Sequence, residues 1–140
     1  GLISGQVHEM HWMSVHGWVA RGGAELGTSR QAPKAEDFAR IVQTLETQRI
    51  DGLLIVGGWI GYQLAYQFTM HRAAHPALAI PVVCVPATIN NDLPGTEITI
   101  GADTALNTIV NDVDKIKESA VASQRCYVVE VMGTTAAIWR

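Results

Sequence analysis

Residues 81–101 read PVVCVPATINNDLPGTEITIG, and this stretch decides the fold. Its first part, Val82 to Val85, is a short run rich in β-branched residues, of the kind that a parallel sheet buries on both faces. Pro86 ends the run, and a loop crowded with small polar side chains follows before a helical pattern begins near Ile100. In open α/β sheets the ligand lies beyond the carboxyl ends of the strands. The loop is therefore a candidate binding site, although a polar surface connection can have the same composition.

Two further apolar runs and three helical patterns surround this stretch. The runs are Leu53 to Val56, entered through the turn Asp51-Gly52, and Cys126 to Val131. Helical spacing of apolar residues predicts helices within 33–49, from about Tyr62 towards His75, and from about 100 to 120. The last has the apolar stripe Ala102, Leu106, Ile109, Val113, Ile116 and Ala120. Strands alternating with helices predict an α/β fold, a doubly wound, Rossmann-like parallel sheet with helices on both faces.

The first thirty residues carry weaker signals. A short strand is predicted near Val7, and Ser14 can cap a short helix that Gly22 and Gly23 stop. The loop Gly27-Thr28-Ser29-Arg30 follows, and its small residues with one guanidinium suit a phosphate. On its residues alone, Arg30 is equally explained as a solvated surface charge.

Composition excludes several classes of protein. The chain has 140 residues, of which 48% are hydrophobic, which is enough for one domain with a core. Its net charge is −3, so no basic patch indicates nucleic-acid binding, and no apolar run reaches the roughly 18 residues of a membrane helix. No secretory signal is visible. Cys84 and Cys126 lie inside apolar strand patterns, which favours reduced, buried thiols in a cytoplasmic protein.

Four segments resemble one known family. PATINNDLPGTEITIGADTALNTIV, residues 86–110, closely resembles the substrate loop of the phosphofructokinases, which transfer a phosphoryl group to fructose 6-phosphate. GGAELGTSR at 22–30, IDGLLIVGG at 50–58 and SQRCYVVEVMG at 123–133 match in family order and at family spacing. The resemblance covers nearly the whole chain, most weakly its first twenty residues. It implies a phosphofructokinase fold and a parent enzyme of glycolysis that makes fructose 1,6-bisphosphate in the cytoplasm, with ATP and Mg²⁺.

One departure from the family removes the catalytic base. The resemblance implies a loop that reads Thr-Ile-Asp-Asn-Asp in catalytic sites, where the first aspartate accepts the proton of the sugar hydroxyl. Asn90 stands at that position here. A carboxamide cannot accept that proton near neutral pH, so the acid–base role is missing.

A second departure lies after the paired glycines Gly57 and Gly58. Catalytic members of the family continue there with an aspartate near the magnesium and a glycine against the nucleotide, whereas this chain has Trp59 and Ile60. An indole supplies no hard oxygen ligand, and Ile60 would crowd a backbone that phosphates approach closely. We therefore expect the segment to bind neither ATP nor Mg²⁺.

The sugar-phosphate side of the family's site is largely retained. By resemblance, Arg125 reaches the sugar 6-phosphate, often across a subunit boundary, and Arg30 matches an arginine that acts on the transferring phosphates. The implied sugar or effector contacts are Thr88, Asn90, Asp92, Arg125, Met132 and Gly133, and the implied phosphate or nucleotide-like contacts are Gly23, Arg30, Gly57 and Gly58. The pattern looks like the carboxyl-terminal half of a long, duplicated phosphofructokinase. Such a half binds a sugar phosphate as an allosteric effector or stabilises an assembly, either a homo-oligomer or a pairing with the other half.

Several alternatives stay open at this point. The segment could be a working kinase half in which Asp92 acts through water, with ATP or pyrophosphate as donor, or an unrelated sugar-phosphate domain. His71 and His75 are spaced to share a metal, but no third ligand accompanies them, and a solvated helix face is the simpler interpretation. Trp12 and Trp18 are either packing or interface residues.

Both ends of the chain depart from the family pattern. The resemblance predicts a single partial domain over 1–140, a fragment that lacks the family's first strand and its second subdomain. Residues 134–140 depart from the expected continuation Arg-Tyr-Cys-Gly-Tyr-Leu-Ala, and a reading-frame slip just after Gly133 would produce such a tail. The nucleotide sequence decides this hypothesis, because a shifted frame must encode the expected peptide.

Overall fold

A computed structural model describes residues 1–133 of the chain. Residues 134–140, for which a shifted reading frame is predicted, lie outside the described part. The chain divides into two units. The first comprises Gly1–Ile55 and Ile60–Val83, and the second comprises Val56–Trp59 and the chain from Cys84 onward. The backbone therefore changes unit within each of the two strands.

Strands β1, Leu53–Gly57, and β2, Val82–Pro86, pair in one sheet. The N–H of Leu53 donates to the Pro81 carbonyl at 2.9 Å, and the N–H of Ala87 donates to the Gly57 carbonyl at 3.0 Å. Because the pairing advances in the same direction along both strands, the sheet is parallel. This confirms the α/β class and two of the three predicted strands.

One face of this sheet is open to solvent. Leu54, Val56 and Val83 are 67%, 58% and 58% exposed, and the register sets Leu54 beside Val83. The prediction that these runs are buried on both faces is therefore wrong for this chain. Burial on both faces needs a layer on each side, and no segment within residues 1–133 covers these three side chains.

The core of the first unit forms around helix α1, Phe38–Gln48. The ring of Phe38 meets Phe68 edge-on at 6.0 Å and stacks on His71 at 4.2 Å. The fully buried cluster contains Phe38, Ile41, Leu45, Phe68 and Leu78. The predicted helical spacing thus places one apolar face of α1 in the core. His71 is half-buried and stacks on Phe38, so it does not lie on the solvated helix face that the sequence suggested.

The ends of α1 follow from its flanking residues. A 3₁₀ turn, Ala35–Asp37, leads into the helix, and the Asp37 carboxylate accepts the N–H of Lys34 at 2.8 Å. At the other end Arg49 adopts a left-handed conformation with φ of 52°. The N–H groups of Arg49 and Ile50 donate to the carbonyls of Glu46 and Leu45, which is the Schellman pattern of helix termination.

Residues 1–133 contain two more α-helices. Helix α2, Trp59–His71, starts directly after β1, and a 3₁₀ turn, Pro76–Leu78, leads towards β2. Helix α3, Ala102–Ser123, follows the loop after β2. Of its predicted apolar stripe Ala102 is buried, whereas Val113 is 37% exposed. None of the helices described here is both long and apolar enough to cross a membrane.

The predictions for the first twenty-odd residues were partly wrong. No strand forms near Val7, and the helix expected after Ser14 is replaced by two 3₁₀ turns, Trp12–Val15 and Trp18–Ala20. Gly17, with φ of 82°, separates these turns, because a left-handed residue cannot continue a right-handed helix. Trp12 is 87% exposed, so it does not pack into the described chain.

The third predicted strand, Cys126 to Val131, does not form. A strand needs a neighbouring backbone to pair with, and the described chain provides none for these residues, of which Val128 is 97% exposed. Cys126 is accordingly exposed, which corrects the expectation of a buried thiol there. Cys84 in β2 is a free, half-buried thiol, and its burial raises the pKa of the sulfhydryl group.

Candidate functional site

The loops that leave β1 and β2 meet at the carboxyl end of the sheet. A methyl group placed on Gly58 would lie 3.5 Å from Thr88 Cβ and 3.9 Å from Thr88 Oγ1. The Gly57 carbonyl accepts the N–H of Ala87. The structure therefore brings together three of the residues singled out in the sequence, Gly57, Gly58 and Thr88, where ligands of open α/β sheets bind.

Thr88 and Asn90 are joined by a hydrogen bond. The N–H of Asn90 donates to Thr88 Oγ1 at 3.1 Å. A threonine hydroxyl that accepts in this way keeps its own proton to donate. Asn90 and Asp92 are both half-buried. The loop thus offers a hydroxyl, a carboxamide and a carboxylate within five residues of chain.

The far side of this loop is held to the sheet by one backbone bridge. Ile100 forms a parallel bridge with Ala87, in which the Ile100 N–H donates to Pro86 and the Thr88 N–H donates to Ile100, at 2.9 and 3.1 Å. Helix α3 begins two residues later, after Gly101 with φ of 95°. The loop between Ala87 and Ile100 is thereby closed at its base by the sheet.

Asn91 and Thr99 are two structural residues that sequence reasoning missed. The Asn91 side chain donates from Nδ2 to the Glu97 carbonyl at 3.0 Å and accepts the Thr99 N–H on Oδ1 at 2.8 Å. Thr99 is only 2% exposed, and its hydroxyl donates to the Thr88 carbonyl at 2.6 Å. A usable signal existed, since asparagine is enriched among non-glycine residues with positive φ and Asn91 has φ of 50°.

The position expected for a metal-binding aspartate is the start of α2. Trp59 occupies it with an indole that is 50% exposed, and Ile60 next to it is half-buried. An indole has one N–H donor and no acceptor oxygen, so these two side chains do not fit a magnesium ion that bridges phosphates. Within residues 1–133, no three His, Cys, Asp or Glu side chains come together as a possible metal site.

Arg125 is positioned by the end of α3. Gln124 is left-handed with φ of 53°, and the N–H of Arg125 donates to the Ala120 carbonyl at 3.0 Å, which is again a Schellman pattern. The guanidinium is exposed. Met132 is 76% exposed and Gly133 is exposed as well, in a segment without helix or strand. These three residues are therefore available to solvent in the described structure.

Gly23 and Arg30 belong to the first unit. Gly23 has φ of 108°, a conformation that a residue with a side chain rarely adopts. Arg30 is exposed, and beside it the N–H of Gln31 donates to Ser29 Oγ at 3.3 Å. The segment keeps the small-residue loop that the sequence predicts, with its guanidinium facing water.

Two cavities are lined by residues outside the loop after β2. One, of about 450 Å³, is lined by Ile116, Ser119 and residues 127–130, and another, of about 500 Å³, lies between residues 3–5 and α1. None of Thr88, Asn90 or Asp92 lines either cavity. These two cavities therefore do not coincide with the candidate site.

Comparison with known proteins gives one consistent result. The sequence profile of the phosphofructokinase family matches residues 1–138. The chain is 46% identical over 134 residues to an ATP-dependent 6-phosphofructokinase of Dictyostelium discoideum, covering 95% of this chain and 16% of the relative. It is 42% identical over 134 residues to one of Schistosoma mansoni, and the match covers 95% of this chain and 17% of the relative. It is also 42% identical over 135 residues to an ATP-dependent 6-phosphofructokinase subunit alpha of Komagataella phaffii. That match covers 95% of this chain and 14% of the relative.

Two solved structures match as well. Phosphofructokinase of Pichia pastoris in the T-state superposes with a TM-score of 0.76 at 42% identity, over 87% of this chain and 14% of that one. Phosphofructokinase from Saccharomyces cerevisiae gives a TM-score of 0.79 at 40% identity, over 87% of this chain and 16% of that one. These matches confirm the predicted fold class. The chain spans 14% to 17% of the length of the three relatives named above.

Proposed function

Because this chain belongs to the phosphofructokinase family, we propose that it is a segment of a 6-phosphofructokinase of glycolysis. The complete protein phosphorylates fructose 6-phosphate to fructose 1,6-bisphosphate in the cytoplasm, with ATP as donor and Mg²⁺ as the metal. Support for the donor comes from relatives that are named ATP-dependent. Two free thiols in the chain agree with a reducing compartment.

Within that enzyme, the segment binds a sugar phosphate and does not catalyse the transfer. The observation that carries this proposal is Asn90, which lies beside Thr88 in the loop where a base must take the proton of the sugar hydroxyl. A carboxamide has no basic atom for that proton near neutral pH. The ligand is therefore held as an effector, or the segment has a structural role in the assembly.

The start of α2 supports the same proposal. Trp59 and Ile60 offer no oxygen ligand for Mg²⁺ and place bulk where phosphates need close access to backbone. Phosphoryl transfer needs the metal as well as the base. The loss of the base and the loss of the metal ligand are independent. The proposed lack of catalysis therefore does not depend on a single substitution.

The retained residues supply contacts for a phosphosugar. The hydroxyl proton of Thr88 and the carboxylate of Asp92 are suited to sugar hydroxyls, because one donates and the other accepts. Arg125 supplies a forked cation for a phosphate, with Met132 and Gly133 against the sugar. The remaining phosphate-side candidates, Gly23, Arg30, Gly57 and Gly58, lie in small-residue loops of the kind that expose backbone N–H groups.

The proposed assembly is larger than this chain. We place it in one half of a duplicated phosphofructokinase, in the manner of a carboxyl-terminal half, with the other half or further copies as partners. Relatives from yeasts are named as subunit alpha, which supports a multi-subunit enzyme. In this proposal, residues 1–140 form one partial domain of that assembly.

A second candidate function keeps catalysis in this segment. Asp92 is a half-buried carboxylate two residues from Asn90, and through a bound water it can reach the proton that Asn90 cannot accept. ATP or pyrophosphate would then be the donor. This candidate predicts activity from this half in the wild-type protein.

Calorimetry on the complete protein that carries this sequence tests the binding proposal. Fructose 6-phosphate and fructose 1,6-bisphosphate are titrated into the wild type, Thr88→Val and Arg125→Ala, with Arg72→Ala as the matched cation control, since its guanidinium donates to the Ile80 carbonyl in the other unit. Binding weakened by Thr88→Val and Arg125→Ala but not by Arg72→Ala supports the proposal. No binding at this half, or equal binding by all variants, contradicts it.

An activity measurement separates the two candidate functions. The other catalytic site is silenced, and fructose 6-phosphate phosphorylation is followed in the wild type and in Asn90→Asp combined with Trp59→Asp. We expect no turnover from the wild-type half. Ordinary turnover before the substitutions favours Asp92 as the base and removes the binding-only proposal.

A further inference from the structure

We propose that Asn91 is a positioning residue that acts with Thr99 to hold the loop after β2 in its binding conformation. This proposal rests on the proposed function, because it assigns a role at the same sugar-phosphate loop. Asn91 lies between Asn90 and Asp92, which are candidate ligand residues, but its own side chain turns to the backbone of residues 97–99. We call this arrangement the amide latch, formed by Asn91, the backbone of 97–99 and the hydroxyl of Thr99.

The amide latch reproduces the pairing of a parallel strand. In such a ladder, one residue accepts from and donates to the two residues that flank its partner. The Asn91 amide does this with its side chain, since Nδ2 donates to the Glu97 carbonyl at 3.0 Å and Oδ1 accepts the Thr99 N–H at 2.8 Å. Ala87 pairs with Ile100 by backbone in the same way. Residues 97–100 are thus held at residue 98 by a side chain and at residue 100 by the sheet.

Few side chains can do this. The latch needs one donor and one acceptor in a planar group, which a carboxamide has and a carboxylate lacks. The backbone at Asn91 is left-handed with φ of 50°, a conformation that asparagine and aspartate tolerate better than most residues with a Cβ. Aspartate would therefore keep the backbone but face the Glu97 carbonyl with a second acceptor.

Thr99 connects the amide latch to the candidate ligand residues by a hydrogen bond. Its side chain is buried, with 2% of the residue exposed, and its hydroxyl donates to the Thr88 carbonyl at 2.6 Å. Thr88 in turn accepts the Asn90 N–H on Oγ1 at 3.1 Å. A chain of hydrogen bonds therefore runs from Asn91 through Thr99 to Thr88 and Asn90. Holding these groups before the ligand arrives lowers the entropy lost on binding.

The test uses the complete protein that carries this sequence, with sugar binding at the other half abolished by substitution, and fructose 6-phosphate as the probe. Asn91→Gly keeps the positive φ and removes both amide bonds, and Asn91→Asp keeps the acceptor and removes the donor. Thr99→Val removes the hydroxyl, whereas Thr99→Ser retains it. Asn111→Asp is the charge control, because Asn111 is exposed on α3.

We expect Asn91→Gly, Asn91→Asp and Thr99→Val each to raise the calorimetric Kd by about tenfold, with a more unfavourable binding entropy, as loss of preorganisation predicts. Thr99→Ser and Asn111→Asp should bind within about twofold of the wild type, since they keep the latch. Rescue by serine and the entropic origin of the loss would not follow from a general loss of stability. Unchanged binding by both Asn91 variants overturns the proposal.

Hydrogen exchange of residues 97–99 provides a readout that needs no ligand. The Thr99 N–H should exchange faster in Asn91→Gly while α1 keeps its wild-type protection. If this half of the wild type binds neither fructose 6-phosphate nor fructose 1,6-bisphosphate, the proposed binding function fails, and exchange alone then decides the latch. Faster exchange in that case supports the latch, and unchanged exchange overturns it.

Discussion

At the residue scale, substitution of Gly58 distinguishes two reasons for a glycine next to Thr88. One is packing against Thr88, and the other is close approach of a ligand to the backbone. A methyl group there would lie 3.5 Å from Thr88 Cβ, which is ordinary van der Waals contact, and its φ is not in the left-handed range. We therefore expect Gly58→Ala to leave the melting temperature unchanged and the fructose 6-phosphate affinity within about twofold of wild type, whereas the branched side chain of Gly58→Val should displace Thr88 and weaken binding. Thermal denaturation and calorimetry measure both effects.

The opposite result for Gly58→Ala would also be informative. A large loss of affinity with unchanged melting temperature would mean that a ligand group approaches the Gly58 backbone directly. The prediction of simple packing would then be wrong, and Gly58 would act as the phosphate-side contact that the sequence indicates.

Residues differ in how far the sequence could reveal them. Asn90, Thr88 and Trp59 were found because their two segments resemble a known family, which shows which chemistry each position needs. Asn91 and Thr99 were missed because their partners are backbone groups six to eleven residues away. Residue identity does not reveal such partners, and only the positive φ preference of asparagine gave a local hint.

At the element scale, the left-handed residue that ends α1 can be improved. Arg49 has φ of 52° and carries a Cβ, while glycine adopts this conformation without that steric cost. We expect Arg49→Gly to raise the local opening free energy of the last turn of α1 by about 0.5 kcal/mol. Hydrogen exchange in the complete protein measures it. Arg49→Val is the matched control and should lower the same quantity, so equal protection in both variants would contradict the prediction.

The packing of α2 on β1 gives a second prediction at this scale. A methyl group placed on Gly61 would lie 3.0 Å from Ile55 Cγ2, tighter than real contacts normally allow. Ile55 is β-branched and stiff, so Gly61→Ala should lower stability by about 1 kcal/mol despite its better helix propensity.

A double-mutant cycle in the complete protein checks this contact. Ile55→Ala removes the opposing methyl group, so the combined Gly61→Ala and Ile55→Ala variant should lose less stability than the two single losses added together. Strict additivity would mean that the loss in Gly61→Ala does not arise from the contact with Ile55.

Elements were predictable where the signal is local. β1, β2 and α1 follow from β-branched runs and helical spacing. Cys126 to Val131 has the same apolar composition as the strands, but strand formation depends on a partner backbone distant in sequence. The helix after Ser14 failed because Gly17 adopts φ of 82°, which a cap signal does not reveal.

At the scale of the whole molecule, the exposed apolar surface predicts how the isolated chain behaves. Leu54 and Val83 lie side by side on the open sheet face and are 67% and 58% exposed, and a two-stranded sheet leaves unpaired strand edges. We expect the isolated 140-residue chain to bind 8-anilinonaphthalene-1-sulfonate, to melt broadly and to aggregate with rising concentration. Leu54→Lys with Val83→Lys is the surface variant and should reduce dye binding and aggregation with an unchanged far-ultraviolet dichroism spectrum. A sharp cooperative melt of the wild-type chain without dye binding would contradict the expectation, because it would require these side chains to be covered by the chain itself.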